Sequence, residues 1–380
     1  MNCKHLNLLP FWIALMITAG AGESLAKIPT VVVTSPDPKL LKTAEAFQAA
    51  EKLLARENLA SLDRSIVRLL ADGPQNSRPL EKALLEIRSC VKSLDEIRKG
   101  LAARSPSALK RSDTLRKCVM DVRLSQLDAP LLFVKRHAYF APHIYDDYLP
   151  YRPGGGIYVI ENPGDPIDKH VVRAIIDPET TETLGVGVYR DPDLSFDAKR
   201  VVFAFKGADG DTSIYEIGVD GKGLRRLTNP AADCGNRKPS QGLVGRGQHD
   251  ITPCYLPSGR IAFTSTRTGA HVMCFSSYID VLHTMDADGG DIRCISVNNQ
   301  NEFDPAVLPD GRILYGRWEY VDKTALYMQS LWTVNPDGSN ETAFFANNLA
   351  MPTAILDARA VPGTDLLGPP TRRKGTSPRR

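Results

Sequence analysis

The chain has 380 residues, of which 24% are charged and 42% hydrophobic, and its formal net charge is +3. This composition is typical of a globular protein with room for about two domains. It does not indicate nucleic acid as a partner, because five basic residues lie in the last nine, Arg372–Arg380, and leave the rest of the chain near neutral. We predict a basic, disordered tail over residues 366–380.

The N-terminus has the pattern of a secretory signal peptide. Lys4 precedes the apolar run LNLLPFWIALMITAGA, and Ser24-Leu25-Ala26 is a small-x-small cleavage site. A transmembrane anchor is the alternative, but Pro10 interrupts the run, which is shorter than the ~20 residues that a span needs. We therefore predict a signal peptide over residues 1–26, a periplasmic or secreted location, and no membrane span after cleavage.

Residues 27–128 are predicted to form a helical domain. Apolar residues recur at helical spacing in the segments 39–58, 61–72, 78–103 and 105–124. A helical hairpin that turns at Arg104 would bring Cys90 and Cys118 together, since both are equally distant from Arg104 in sequence. We predict a disulfide between them, with two separately buried thiols as the alternative. The pairing of the remaining cysteines is left open: Cys234, Cys254, Cys274 and Cys294.

From Ala129 to about residue 365 the chain is rich in β-pattern and repeats itself. One element is a turn followed by a strand, in SFDAKRVVFAF (195–205), LPSGRIAFTST (256–266) and LPDGRILYGRW (308–318). The other is a strand, an Asp-Gly turn and a strand, in IYEIGVDGKGLRRLT (214–228), LHTMDADGGDIRCIS (282–296) and LWTVNPDGSNETAFF (331–345). Proline pre-sets φ and glycine accepts positive φ, so both elements are hairpin-like. Their alternation predicts units of four antiparallel strands.

Four-stranded units at a spacing of about 50–60 residues predict a β-propeller. An earlier, degenerate unit reads LLFVKR, GGGIYVIENP and VVRAIID, and a further unit begins at residues 351–365, where Pro352 aligns with Pro253 and Pro305. The predicted fold is therefore α plus all-β: an N-terminal helical segment followed by a partial β-propeller of about four blades over residues 129–365. A closed ring of this repeat usually needs more blades, which favours truncation near residue 365 over closure by a partner.

These repeats resemble the TolB-type exported propellers, and more closely the middle domain of the hydrazine synthase alpha subunit and its exported relatives. The resemblance covers roughly residues 129–365. The motifs that carry it are LLFVKRHAYFAPHIYDDYLPYRPGGGIYVIENP, HDITPCYLPSGRIAFTSTR, LPDGRILYGRWEYVD and LWTVNPDGSNETAFF. It implies the fold and not the activity, because catalysis in hydrazine synthase depends on haem attached through C-x-x-C-H, and the sequence has no such motif.

One candidate site lies at the start of the predicted innermost strands. Asp250 and Glu302 align there, His249 and Asn301 precede them, and Asp304 follows. Innermost strands of a propeller line its channel, so these side chains would bind a cation or an amine ligand at the channel rim. The alternative is that each carboxylate caps neighbouring backbone amides. Nearby, Arg317 and Glu319 are predicted to pair on one face of their strand.

A second candidate is the loop RHAYFAPHIYDDYLPYRPGGG. It contains His137, His143, Asp146 and Asp147, whose imidazole and carboxylate groups could hold zinc or iron. The alternative is a packed or solvated loop whose tyrosines suit a sugar or a peptide. No cofactor is predicted other than a divalent cation at these sites. The Gly-rich segment 152–158 does not indicate nucleotide binding, because it enters a strand and no helix follows.

The pattern as a whole favours an exported binding or scaffold module for protein or glycan partners, with no catalytic motif. The alternative is a subunit of a periplasmic redox or metal-dependent enzyme complex related to the hydrazine synthase alpha subunit. Metal analysis and a haem absorption spectrum would distinguish the two.

Overall fold

The computed structural model describes residues 77–92, 94–125, 127–137, 148–229, 248–273, 277–320, 329–349, 354–360 and 367–368, together with a strand at 11–17 and scattered helical positions between 47 and 71. The chain divides into two compact units. The first contains Val33–Leu131 and Ile160–Val172 together with Met1–Phe11, and the second contains Trp12–Val32, Leu132–Val159 and Arg173–Arg380.

The first unit is built from helices. They are α1 Ser77–Lys92, α2 Leu94–Ala102 and α3 Pro106–Leu124, with a short 3₁₀ helix at Ile167–Lys169. The chain turns between α2 and α3 at Arg104, which has a φ of 55°, and α3 begins with Pro106 because its fixed φ suits the first helical position. The predicted turn at Arg104 is therefore present. No helix in the described ranges is long and apolar enough to span a membrane.

The predicted disulfide joins positions on two packed helices. Cys118 of α3 is buried in an apolar cluster with Ile66, Leu84 and Ile87. Cys90 lies on α1, one turn after Ile87, and its side chain falls outside the described residues. The Cys90–Cys118 bond stays a prediction.

The second unit consists of antiparallel sheets in sequential strand order. Among the described residues, β1–β4, β5–β8, β9–β12 and β13–β16 form sheets 1 to 4, and β17 pairs with β18. The strands are β1 Phe11–Ile17, β2 Leu131–His137, β3 Gly156–Ile160, β4 Val172–Ile176, β5 Val188–Leu194, β6 Arg200–Lys206, β7 Thr212–Gly218, β8 Arg225–Arg226, β9 Asp250–Tyr255, β10 Ile261–Ser265, β11 Val281–Met285, β12 Arg293–Cys294, β13 Glu302–Val307, β14 Ile313–Trp318, β15 Gln329–Val334, β16 Thr342–Phe345, β17 Arg359–Ala360 and β18 Leu367–Gly368. The two repeated sequence elements correspond to successive strand pairs of sheets 2, 3 and 4.

β1 coincides with the apolar run of the predicted signal peptide, residues 1–26. Because β1 lies within the predicted signal peptide, cleavage after Ala26 would remove this strand from sheet 1. Export remains a proposal.

The core lies between consecutive sheets. The aligned aromatic residues Phe203, Phe263 and Tyr315 of the second strands are almost completely inaccessible to solvent. Each lies in a separate apolar cluster: the first joins sheets 1 and 2, the second sheets 2 and 3, and the third sheets 3 and 4. Face-to-face packing of this kind buries both faces of each inner sheet, which explains why β6 after Arg200 and the whole of β10 are buried.

The first strands of sheets 2, 3 and 4 carry the same irregularity. Asp191, Thr252 and Asp304 have φ values of 50°, 51° and 50°, and the strand register shifts at each of them. Asp357 has a φ of 50° as well, so it is the counterpart of Asp304 in the next unit. Pro352 lies outside the described residues, so its alignment with Pro253 and Pro305 stays a prediction.

The Asp-Gly turns bring neighbouring sheets into close contact. Gly289 has a φ of 91°, and a Cβ there would lie 2.2 Å from the carbonyl oxygen of Leu227 in sheet 2. Gly338 repeats this arrangement, with 2.8 Å to the carbonyl oxygen of Ile295. Glycine is thus required at this turn for two reasons, its positive φ and the approach of the preceding sheet.

Substitution of Gly289 by alanine is expected to destabilise the protein by about 2–4 kcal/mol, because it combines a left-handed alanine with a backbone clash. Gly259 is the matched control: its φ is 86°, but a Cβ there meets nothing within 4 Å. Gly259→Ala should cost about 1 kcal/mol. Denaturant unfolding of both variants provides the measurement, and equal losses would contradict the close approach between sheets 2 and 3.

Candidate functional site

In sheets 3 and 4 the two ends differ in the length of their connections, whereas in sheet 2 the connections 195–199 and 207–211 are equally long. We call the end at which β5, β9 and β13 begin the entry end. At the opposite end, the connections between the first and second strands are short and comprise residues 256–260 and 308–312. At the entry end, the connections between the second and third strands are longer and comprise residues 266–280 and 319–328. Binding residues concentrate in long loops on a rigid scaffold, so the entry end is the candidate functional site.

At the entry end, His249 and Asn301 connect consecutive sheets. His249 Nδ1 shares a hydrogen bond of 2.9 Å with Thr212 Oγ1 of sheet 2, and the Asn301 amide donates to the Asp280 carboxylate of sheet 3. Both residues are fully buried. His249 and Asn301, which the sequence aligns, therefore make equivalent contacts. Each precedes the first strand of its sheet and is hydrogen-bonded to a residue at the start of the third strand of the preceding sheet.

Asp250 lies at the centre of a buried ion pair. Its Oδ1 accepts hydrogen bonds from Ser265 Oγ at 2.6 Å and from Arg267 Nε at 3.0 Å, and its Oδ2 accepts one from Arg267 Nη2 at 2.7 Å. The Asp250 side chain is inaccessible to solvent and that of Arg267 is 10% exposed. This bidentate geometry is typical of the strongest charge-assisted hydrogen bonds between arginine and a carboxylate.

Glu302 occupies the equivalent position in sheet 4 and has a different environment. Leu282 N and Ser296 Oγ each donate to its carboxylate at 2.7 Å. Burial raises the pKa of Glu302 to about 7, although these two hydrogen bonds and Arg317 favour the charged form. A carboxyl group with such a pKa exchanges its proton near neutral pH, which is a property that acid–base sites share.

Asp304 links β13 to the last hairpin. It is half-buried, and its Oδ2 accepts a hydrogen bond from Asp357 N at 3.0 Å. Both Glu302 and Asp304 therefore accept from backbone amides, as the capping alternative expects. Cation or amine binding at His249, Asp250, Asn301, Glu302 and Asp304 remains a prediction.

The predicted pair of Arg317 with Glu319 is wrong. Arg317 Nη1 lies 2.5 Å from Glu341 Oε2 and its guanidinium stacks over Trp332 at 4.3 Å. Glu319 instead accepts a hydrogen bond from Ser330 Oγ at 3.1 Å. The β15–β16 hairpin brings Glu341 across the sheet, and spacing along a single strand does not reveal this.

The predicted metal ligands of the β2–β3 loop are only partly described. His137 ends β2, and burial together with Arg152 lowers its pKa. His143, Asp146 and Asp147 lie outside the described residues. Over the part of the chain that the structure describes, no three His, Cys, Asp or Glu residues are grouped as metal ligands, so a metal at this loop remains a prediction.

Sequence reasoning missed a group formed where this loop returns to the sheets. Tyr148 is buried, its hydroxyl donates to Tyr278 O at 2.9 Å, and its ring centroid lies 4.7 Å from that of His249. Lys206 Nζ donates to Tyr148 O at 2.8 Å and to Leu149 O at 2.6 Å. We call Tyr148, Lys206 and His249 the basic group. The one sequence signal was a lysine at the end of the apolar strand RVVFAFK.

The basic group has an excess of positive charge. Burial lowers the pKa of Lys206 to about 8, and the nearby Arg190 acts in the same direction. Burial also lowers the pKa of His249 well below its usual value, followed by the charges of Lys206 and Arg190. His249 is therefore neutral, and Lys206 carries a charge in the interior at neutral pH.

No family model matches the chain, and no curated protein matches it. Solved structures do. A TolB-type protein from Agrobacterium tumefaciens is 17% identical, with a TM-score of 0.37, over 56% of this chain and 61% of that one. Kuenenia stuttgartiensis hydrazine synthase is 17% identical, with a TM-score of 0.43, over 60% of this chain and 33% of that one. TolB from Acinetobacter baumannii is 12% identical, with a TM-score of 0.26, over 62% of this chain and 68% of that one.

The chain thus spans about three-fifths of the first of these proteins and a third of the second. The neighbours are of the TolB-like kind that the motifs indicated, at low identity, and they single out no particular member.

Proposed function

We propose that this chain is an exported binding or scaffold module whose entry end engages a protein or glycan partner. The observation that carries the proposal is the placement of exposed apolar side chains. Val186, Met273 and Val297 are 63%, 65% and 88% exposed, and each lies in a connection at the entry end.

Single exposed apolar residues are common on soluble proteins. These three, however, lie in connections to sheets 2, 3 and 4 at the same end, on a framework fixed by the contacts of His249 and Asn301. Interfaces combine apolar anchors with a polar rim on a rigid scaffold, and such anchors carry much of the binding energy. Export is supported by the signal pattern of residues 1–26, which places the partner in the periplasm or outside the cell.

The triple variant Val186→Asp, Met273→Asp and Val297→Asp tests the proposal. The full chain is first surveyed against a glycan array and against proteins of the cell envelope by crosslinking, and each ligand found is then titrated by calorimetry. Loss of more than 1 kcal/mol of binding energy, at least about fivefold in Kd, is expected for the triple variant.

Phe196→Asp is the matched control, because Phe196 is exposed but lies in the β5–β6 turn at the opposite end. It should leave affinity unchanged. Binding that survives the triple variant, or that Phe196→Asp weakens equally, would contradict an interface at the entry end.

The alternative, a subunit of a metal-dependent or redox enzyme complex, is supported by the near-neutral pKa of Glu302 beside the innermost strand. Metal analysis and an absorption spectrum of the purified full chain separate the two functions. A stoichiometric metal ion or a Soret band would favour the enzyme subunit.

A further inference from the structure

Lys206 is a buried cation without a carboxylate partner. Lys206 is 5% exposed, and its ammonium donates hydrogen bonds to the carbonyl oxygens of Tyr148 and Leu149. Within the described residues no carboxylate lies at ion-pair distance from Nζ. Asp209 and Asp211 act on it only from further away, and Asp211 Oδ1 already accepts a hydrogen bond from Gln248 N at 2.7 Å. Buried charges are normally paired, so this arrangement calls for an anion.

His249 adds an unused polar atom to the same place. Its Nδ1 is bonded to Thr212 Oγ1, whereas its Nε2 is buried and has no hydrogen-bond partner in the described part of the chain. Buried polar atoms without partners are rare in native proteins. When the Thr212 hydroxyl donates to Nδ1, Nε2 carries the hydrogen and is a donor.

We infer that Lys206 and His249 form a binding site for a carboxylate group. The ammonium of Lys206 and the Nε2–H of His249 are two donors, which suit the two oxygens of one carboxylate. The neighbouring Arg190 is already paired with Asp191 Oδ2 at 2.5 Å, so Lys206 is the cation of the two that has no ion pair among the described residues. That balance favours a monoanion over a phosphate or sulfate dianion.

Tyr148 packs against this site. Its ring lies against His249 and its hydroxyl is held by Tyr278 O, so the carboxylate reaches Nε2 when this side chain turns aside. The inference rests on the proposed function, since it specifies the chemistry of the ligand that the entry end binds. A peptide C-terminus and an acidic sugar both present such a group.

The test is a titration of the full chain with sodium acetate at constant ionic strength, followed by NMR of the histidine Cε1–H signals and by calorimetry. The His249 signal is identified by its absence in His249→Gln. Acetate should shift this signal in a saturable way, whereas acetamide, its neutral analogue, should not. Lys206→Met should weaken acetate binding about tenfold to hundredfold, which corresponds to loss of one charged hydrogen bond.

Lys199→Met is the matched control, since Lys199 is exposed beside the other end of the same strand, and it should bind acetate as the parent does. Lys206→Gln serves as a second variant where Lys206→Met does not fold. Absence of saturable binding, equal binding by the Lys206 variants, or tighter binding of sulfate than of acetate would each overturn the site.

Failure of this inference can be told from failure of the proposed function. The acetate titration needs no partner, and the apolar residues Val186, Met273 and Val297 play no part in it. Partner binding that depends on those residues, without acetate binding, would overturn the carboxylate site alone. Acetate binding without any partner that depends on them would overturn the proposed interface alone.

Discussion

Replacement of Arg267 by methionine is expected to destabilise the protein by about 3–5 kcal/mol. The substitution leaves the Asp250 carboxylate in the interior, where it is inaccessible to solvent and retains only Ser265 Oγ as a described side-chain donor. A buried charge that loses its counterion keeps the full cost of its desolvation. Chemical denaturation of the purified variant measures the loss.

Arg293 provides the control, because Arg293 Nη2 lies 2.7 Å from Asp291 Oδ2, the same separation as in the buried pair. Arg293 is 69% exposed, so Arg293→Met should cost far less stability than Arg267→Met. The double variant Asp250→Leu with Arg267→Met should recover much of the stability, since it removes both charges together. A loss in Arg267→Met no greater than that in Arg293→Met would show that water reaches Asp250.

The repeated architecture was predictable because its determinants are local. Phe203, Phe263 and Tyr315 follow turns of the same type, and that spacing places each of them in the core between two sheets. Gly289 lies in an Asp-Gly turn that the sequence shows directly, and only the approach of Leu227 needed the structure.

The site was less predictable because its contacts join distant parts of the chain. Lys206 meets Tyr148 across 58 positions, and no periodicity relates the two residues. Arg317 lies opposite Glu302 and two positions before Glu319, and its pairing with Glu341 instead depends on how the next hairpin folds back. The positive φ that Asp304 and Asp357 share is another feature that the sequence pattern does not reveal.

Replacement of Glu302 by glutamine is expected to stabilise the protein at pH 8 by up to about 3 kcal/mol and to be nearly neutral at pH 4.5. The folded state raises the pKa of Glu302 from 4.5 to about 7, mainly through burial. The protonated form is therefore the one that folding favours. Its contribution to stability is fully present below pH 4.5 and is lost as the pH rises through 7.

Glutamine is a close match in shape, and its amide can still accept from Leu282 N and bond to Ser296 Oγ, the two partners of the carboxyl group. Buried histidines such as His249 titrate in both proteins, so the difference between variant and parent isolates Glu302. Denaturant unfolding at half-unit steps between pH 4.5 and pH 8 should show this difference growing as the pH rises. Glu179→Gln, at an exposed site, should change stability by less than about 0.5 kcal/mol throughout. A constant difference for Glu302→Gln would mean that Glu302 is charged in the folded protein across this range, with Arg317 as its counterion.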